Sequence, residues 1–224
     1  MAENKSRQPL LVFYQKDLYQ LATGALKKRL HQRPIKEKLM NDGAESFIVE
    51  DESGEIPSCL LLINREPSYI HNLLVSEDEI LRPAFLVSVS AGPRPKSVDR
   101  DGVLIPYHCV RSVGRPELSK RFLLCEDIYF DTKLIEQLKS EIPEQILYSE
   151  RNALFSTQFE KVESESLDWL YTKSHIVSYD QISAELLRVA RTLSLPMATL
   201  HFTGASDFIK AKLSGFCDNV KLSS

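Results

Sequence analysis

Phe85-Leu86-Val87-Ser88-Val89-Ser90-Ala91-Gly92 is the stretch whose reading decides the fold. Residues 85–90 are short, apolar and β-branched, with Pro83 before them and Gly92 after, and this composition predicts a strand. Val103-Leu104-Ile105, continued by His108-Cys109-Val110 after Gly102, repeats the character and predicts another. Gly92 to Gly102 between them suits neither helix nor regular sheet: Pro93 and Pro95 lack an amide donor, and the terminal glycines invite unusual backbone angles. The segment reads as a surface loop. It exceeds the about 2 to 5 residues of an ordinary hairpin connection, which makes it the first place to look for function.

Working outward, Phe47-Ile48-Val49-Glu50 and Pro57 to Ile63 surround the turn-forming Asp51 to Glu55 and predict a hairpin. Pro67 to Leu81 reads as a connection with a short helix capped by Ser76. Arg121 to Phe130 predicts a further strand. About five or six strands are therefore expected between residues 46 and 130, and helices follow. Asp131 or Thr132 caps one carrying Leu134, Ile135 and Leu138, Ser164 to Thr172 forms another, and Ser178 with Gln181 fits a capping box ahead of Ile182, Leu186, Val189 and Ala190. A last short helix opens at Ser206 and is stopped by Gly215. Leu10 to Tyr14 reads as a strand or the opening of a helix, Ala198 to Phe202 adds at most one strand, and Ile146 to Val162 is ambiguous. Strands grouped before helices predict an α+β fold, with a mixed or mostly antiparallel sheet, a basic amino-terminal helix and a helical carboxy-terminal half. The expected organisation is a single domain over 1–224, divisible at most into a strand-rich 1–130 and a helical 131–224.

Composition narrows the function classes. Of 224 residues, 43% are hydrophobic and 26% charged, which is ordinary for a globular protein, and the net charge of −3 argues against a dedicated binder of nucleic acid or anionic membranes. No apolar stretch reaches the roughly 18 to 20 residues that span a bilayer. The polar opening from Met1 to Gln8 does not fit a secretory signal. Cys59, Cys109, Cys125 and Cys217 are far apart and mostly within apolar runs, which predicts buried reduced thiols and a cytoplasmic setting. No cysteine or histidine spacing fits a metal site, and neither metal nor cofactor is expected.

Leu18, Leu21, Ala22, Ala25, Leu26 and Leu30 recur at helical spacing from Lys16, and the opposite face carries Lys27, Lys28 and Arg29, with Arg33, Lys36 and Lys38 beyond Pro34. This is the chain's one concentration of positive charge. It reads as an electrostatic contact for nucleic acid or an acidic partner, or as the solvated face of an amphipathic helix, which the lack of interleaved aromatic residues to stack on bases favours. Arg94, Lys96 and Arg100 of the long loop have the donors of an anion site, offset by Asp99 and Asp101. Ser97, Asp99, Asp101 and Gly102 begin a calcium-loop pattern that fails at its twelfth position, which is His108. Ser88-Val89-Ser90-Ala91-Gly92 has the tail of a nucleophile elbow without its first glycine, and a triad through His108 or His175 with Asp127 can be drawn but not supported.

With no catalytic constellation evident, the sequence predicts a non-enzymatic cytoplasmic adaptor or assembly subunit. It would contact a protein partner through the helix from Lys16 to Lys38, with Lys27, Lys28, Arg29 and Arg33 as binding residues, and through the 92–102 loop. One alternative is an enzyme acting on an anionic or phosphorylated small substrate, with Arg94, Lys96 and Arg100 positioning it and His108, Asp127 or Glu126 as acid or base. Another is a nucleic-acid-binding accessory protein.

Overall fold

A computed structural model describes residues 9–29, 35–39, 45–50, 57–63, 67–75, 83–112, 125–142, 153–156, 162 and 164–219. In chain order its elements are β1 (Pro9–Phe13), α1 (Lys16–Arg29), β2 (Ile35–Leu39), β3 (Glu45–Glu50), β4 (Pro57–Ile63), α2 (Pro67–Val75), β5 (Phe85–Gly92), β6 (Gly102–Leu104), β7 (His108–Ser112), β8 (Cys125–Tyr129), α3 (Thr132–Glu141), β9 (Ala153–Ser156), α4 (Ser164–Ser174), β10 (Ile176–Asp180), α5 (Ser183–Thr192), β11 (Met197–Thr203) and α6 (Ser206–Asn219). Seven strands form one sheet in the order β2-β3-β4-β1-β5-β11-β6, and four form another in the order β10-β9-β7-β8. In the larger sheet β4, β1, β5 and β11 are parallel neighbours, with antiparallel pairing confined to the flanks. In the smaller sheet β10, β9 and β7 are parallel and β8 is antiparallel.

The protein is therefore α/β, and the expected α+β arrangement with strands gathered between 46 and 130 is corrected. Parallel strands cannot be joined by tight turns, so the chain passes through helices such as α2 between β4 and β5, which flank β1, and α4 between the neighbours β9 and β10. The misreading has a physical cause. Every residue of β1 and of β11 is buried, so neither strand has the exposed face by which a half-buried strand is recognised. β9 falls in the segment that periodicity left ambiguous, and β10 was absorbed into the predicted helix cap.

Other expectations fare variously. The hairpin of β3 and β4 forms. Asp131 caps α3, its carboxylate accepting from the amide of Leu134 at 2.9 Å. Ser178 does not cap a helix: it lies in β10, and α5 begins at Ser183. The helix expected to continue to Lys38 ends at Arg29, and Ile35–Leu39 is a strand paired with β3. α6 runs through Gly215 to Asn219, because Phe216 and Cys217 are buried and packing carries the helix past the glycine. The short helix expected from the cap Ser76 lies outside the described residues; the described helix of the Pro67 to Leu81 segment is α2.

One apolar cluster joins Leu10 to Phe13 of β1, Leu86, Val87 and Val89 of β5, Phe202 of β11, Ile135 of α3 and Leu186 of α5. A smaller one, around Phe155, Leu167, Leu170 and Ile176, seats α4 on the second sheet. Among the described residues no helix is long and apolar enough to cross a membrane.

Candidate functional site

In sheets built from parallel strands, ligands bind in crevices outside the strands' carboxyl ends, where the chain leaves the sheet and side chains from several loops converge. β1, β5 and β11 are adjacent and parallel, and a cleft of about 560 Å³ opens beyond their carboxyl ends. Its floor is Ala91, Gly92 and Pro93. Gln15, Asp17 and Leu18 line it from the start of α1, and Gly204, Ser206 and Lys210 from the start of α6.

Gln15 explains how the floor is held. The β1–β5 ladder stops at Phe13 opposite Val89, which would leave the backbone of Ala91 unpaired on that side. The Gln15 side chain continues the ladder: its Nε2 donates to the Ala91 carbonyl at 2.9 Å, and its Oε1 accepts from the Ala91 amide at 2.7 Å.

Beneath the floor lies a buried polar layer. Pairing of β5 with β11 sets Ser88 opposite Thr199, Ser90 opposite His201 and Gly92 opposite Thr203, so the polar residues of both strands share one face. That face meets β10 and α5. Ser90 Oγ lies 2.7 Å from Nδ1 of His201 and 3.2 Å from Oδ2 of Asp180. Nε2 of His201 lies 2.7 Å from Ser178 Oγ, which donates to the Pro93 carbonyl at 2.6 Å. Asp180 Oδ1 accepts from the amides of Ile182 and Ser183, and its Oδ2 from the Ser183 hydroxyl. Thr199 Oγ1 donates to Ser183 Oγ at 3.1 Å, and Ser156 Oγ accepts from the Ala184 amide at 3.1 Å. Burial sets the charge states: desolvation lowers the His201 pKa to about 3 and pushes the Asp180 carboxyl up against the opposing pull of its hydrogen bonds. Gly92 is required here by close approach, since a Cβ on it would stand 2.5 Å from the Tyr179 carbonyl oxygen.

The 92–102 loop folds back on the start of α6. Asp101 Oδ1 pairs with Arg94 Nε at 3.2 Å, and Oδ2 accepts from the Ala205 amide at 3.1 Å. Gly204, at φ +123°, has no room for a side chain: a Cβ would stand 2.1 Å from Cγ of Asp101. Gly204→Ala is expected to cost about 2 kcal/mol, from the unfavourable φ together with displacement of Asp101. Urea unfolding checks this, and a loss below about 0.5 kcal/mol would contradict the packing described.

Of the residues singled out in the sequence, few meet at this site. Lys27 and Lys28 are exposed at the far end of α1, about 16 Å along the helix from Asp17. The Arg29 side chain and all of Arg33 lie outside what the structure describes. Arg94 donates to the Val98 carbonyl and pairs with Asp101, while Lys96 and Arg100 are exposed; no shared anion site brings the three together. Ser97 bonds to Asp168 of α4 and Asp101 to Arg94, so the calcium pattern does not close into a ligand cage. Among the described residues no group of three or more His, Cys, Asp or Glu is placed to hold a metal ion. His108 stacks on Tyr129 with centroids 5.4 Å apart, and Asp127 is exposed on β8; the Glu126 side chain is not described. None of these three lines the cleft. Ser90 does meet a histidine and a carboxylate, but they are His201 and Asp180, with the serine in the middle and the whole set buried. That is not the order of a nucleophile triad.

No protein-family model matches the chain, and no curated protein matches it. Solved structures do match, among them nucleosidases. Futalosine hydrolase of Helicobacter pylori strain 26695 superposes with a TM-score of 0.71 at 8% identity, over 98% of this chain and 98% of that one. The 5'-methylthioadenosine/S-adenosylhomocysteine nucleosidase from Helicobacter pylori, solved with butyl-thio-DADMe-Immucillin-A, matches with a TM-score of 0.71 at 8% identity, over 97% of each chain. The corresponding nucleosidase of Campylobacter jejuni matches at 0.68 and 9% identity, over 96% of this chain and 97% of that one. At such identities the likeness is one of fold. It overturns the expectation of a non-enzymatic adaptor and the leaning against an enzyme: both rested on finding no catalytic constellation in the sequence, whereas the fold, over nearly the whole chain, is that of nucleosidase enzymes.

Proposed function

We propose that the protein is an enzyme that cleaves the N-glycosidic bond of a small nucleoside by hydrolysis. The observation that carries this reading is the cleft at the carboxyl ends of β1, β5 and β11, in a fold matched nearly end to end by nucleosidases. Its volume of about 560 Å³ suits a ligand of nucleoside size. Leu18, Leu21 and Ile209 offer apolar surface to a flat base, and Ser206 and Lys210 offer donors to a sugar.

In hydrolysis water adds to the anomeric carbon, the bond from that carbon to the base nitrogen breaks, and the departing base takes up a proton. Asp17 has the lining carboxylate that can accept a proton from the attacking water as its oxygen bonds to the sugar, while positive charge develops on the ring. The buried thiols of Cys109 and Cys217 support a reducing, cytoplasmic setting; desolvation keeps the Cys109 thiol well above its ordinary pKa and hence unreactive.

The test is release of free base from adenosine, 5'-methylthioadenosine and inosine, followed by chromatography, with binding measured in parallel by calorimetry. Asp17→Asn is expected to lower kcat on the order of a hundredfold while nucleoside affinity changes little, the signature of a group acting in the transition state. Failure of the wild-type protein both to bind and to hydrolyse any of the three would overturn the reading.

A further inference from the structure

The wall of the cleft contains the parts of an anion site, and the chain fills it with its own carboxylate. The parts are the first free amides of a 14-residue helix, a guanidinium and a glycine that allows close approach. Asp101 Oδ2 takes the Ala205 amide at 3.1 Å, Oδ1 takes Arg94 Nε at 3.2 Å, and the carboxyl group packs directly on Gly204, a residue of the cleft lining. The remaining charges nearby leave no surplus of positive field. Asp17 and Lys210 line the cleft with opposite signs, and Lys210 Nζ is 3.9 Å from Asp207 Oδ1.

We infer that Asp101 is a specificity-determining residue, which makes the cleft select uncharged nucleosides and reject ligands that carry a phosphate. The inference rests on the nucleosidase reading above and adds to it the class of substrate. The Ala205 amide ahead of α6 and Arg94 are engaged by a carboxylate fixed in the chain, so a phosphate entering beside Gly204 meets a like charge and finds these two donors taken. Asn at position 101 keeps the shape and the acceptor for the Ala205 amide. It removes the charge and releases the guanidinium.

The experiment compares binding of adenosine, adenosine 5'-monophosphate and inorganic phosphate to the wild-type protein, to Asp101→Asn and to the double variant Asp101→Asn with Arg94→Gln, with thermal melting as a control for folding. The wild-type protein is expected to bind adenosine at least tenfold more tightly than the monophosphate. Asp101→Asn is expected to narrow that ratio at least tenfold and to gain affinity for inorganic phosphate, and the double variant to lose the gain, all with adenosine affinity nearly constant. If adenosine binds but the ratio is the same in the wild-type protein and in Asp101→Asn, the role of Asp101 is refuted and the nucleosidase reading stands. If adenosine does not bind the folded wild-type protein, the reading beneath the inference fails. Should Asp101→Asn not fold, the single variant Arg94→Gln decides: it leaves the carboxylate without its counter-charge, and the preference for adenosine must sharpen, or the inference is wrong.

Discussion

Asp180→Ala is expected to destabilise the protein by about 4 kcal/mol, a large part of the 5 to 15 kcal/mol by which a typical domain is stable. The residue sits where the smaller sheet, through β10, meets α5 and the polar face of β5 and β11. Its Oδ1 accepts from the amides of Ile182 and Ser183, two of the donors that the start of α5 cannot satisfy within the helix. Oδ2 is approached by the hydroxyls of Ser90 and Ser183. Alanine leaves these buried groups without an acceptor, at about 1 to 3 kcal/mol for each unsatisfied group, and relaxation of the hydroxyls toward one another recovers a part. Against this stands the cost of burying a carboxyl group, visible in its raised pKa, which alanine removes. The unsatisfied amides outweigh it, because they belong to a helix whose inner face, Leu186, Leu187 and Ala190, is packed in the core. Asp180→Asn keeps an oxygen for the amides and is expected to cost only about 1 kcal/mol. Urea unfolding of both variants separates the two cases, and amide exchange localises the loss to the first turn of α5. Equal stability of Asp180→Ala and the wild-type protein would show that the carboxylate does not organise this junction.

The sequence disclosed the helices with one apolar face and little of the site, for one physical reason. Amphipathic periodicity exists only where one side of an element meets water. α1 and α3 have such a side and were located within a few residues, whereas β1 and β11 have none. The polar layer, however, left a trace. Ser88, Ser90 and Gly92 alternate with Val87, Val89 and Ala91, and Thr199, His201 and Thr203 alternate with Ala198, Leu200 and Phe202. Period-two polar residues inside two apolar runs mark strands whose one face is polar yet buried, and the two runs pair in register. Reading Ser88-Val89-Ser90-Ala91-Gly92 as a nucleophile elbow set the serines on a tight turn, where the structure has an extended strand. The cleft was harder to foresee. Gln15, Asp17, Gly204 and Lys210 come from both ends of the chain, and their meeting depends on β1, β5 and β11 being neighbours. No spacing along the sequence encodes that adjacency. In the 92–102 loop, Arg94 and Asp101 bind each other.

Acidification should expose the second large effect. As the pH falls from 6.5 toward 3, His201 is expected to withdraw about 1.4 kcal/mol of stability per pH unit, about 5 kcal/mol in all. The ring is fully buried, and its two nitrogens face hydroxyls. Ser178 uses its single proton on the Pro93 carbonyl, so at the His201 contact it accepts, which places a proton on Nε2; Nδ1 lies 2.7 Å from Ser90 Oγ, whose own proton goes to Asp180 Oδ2. A charged ring would have to be desolvated with no carboxylate in contact with it, since Asp180 is one hydroxyl away. The folded protein therefore holds off protonation to about pH 3, whereas the unfolded chain takes the proton near 6.5. A lowered pKa in the fold means that the unfolded state binds the extra proton, so stability is complete above 6.5 and is lost as the pH falls through that window. Asp180 acts in the opposite sense: its raised pKa means that protonation relieves the fold as the solution becomes acid. Comparison with His201→Gln cancels that contribution. Whatever the variant costs at pH 7, the stability gap between it and the wild-type protein is expected to shift by about 2 kcal/mol in the variant's favour by pH 5, measured by urea unfolding at each pH. A gap that stays constant would mean that the ring already carries its charge in the folded protein. The same hydroxyl that fixes the His201 tautomer also holds Pro93, and Gly92 has no space for an added atom between His201 and the Tyr179 carbonyl.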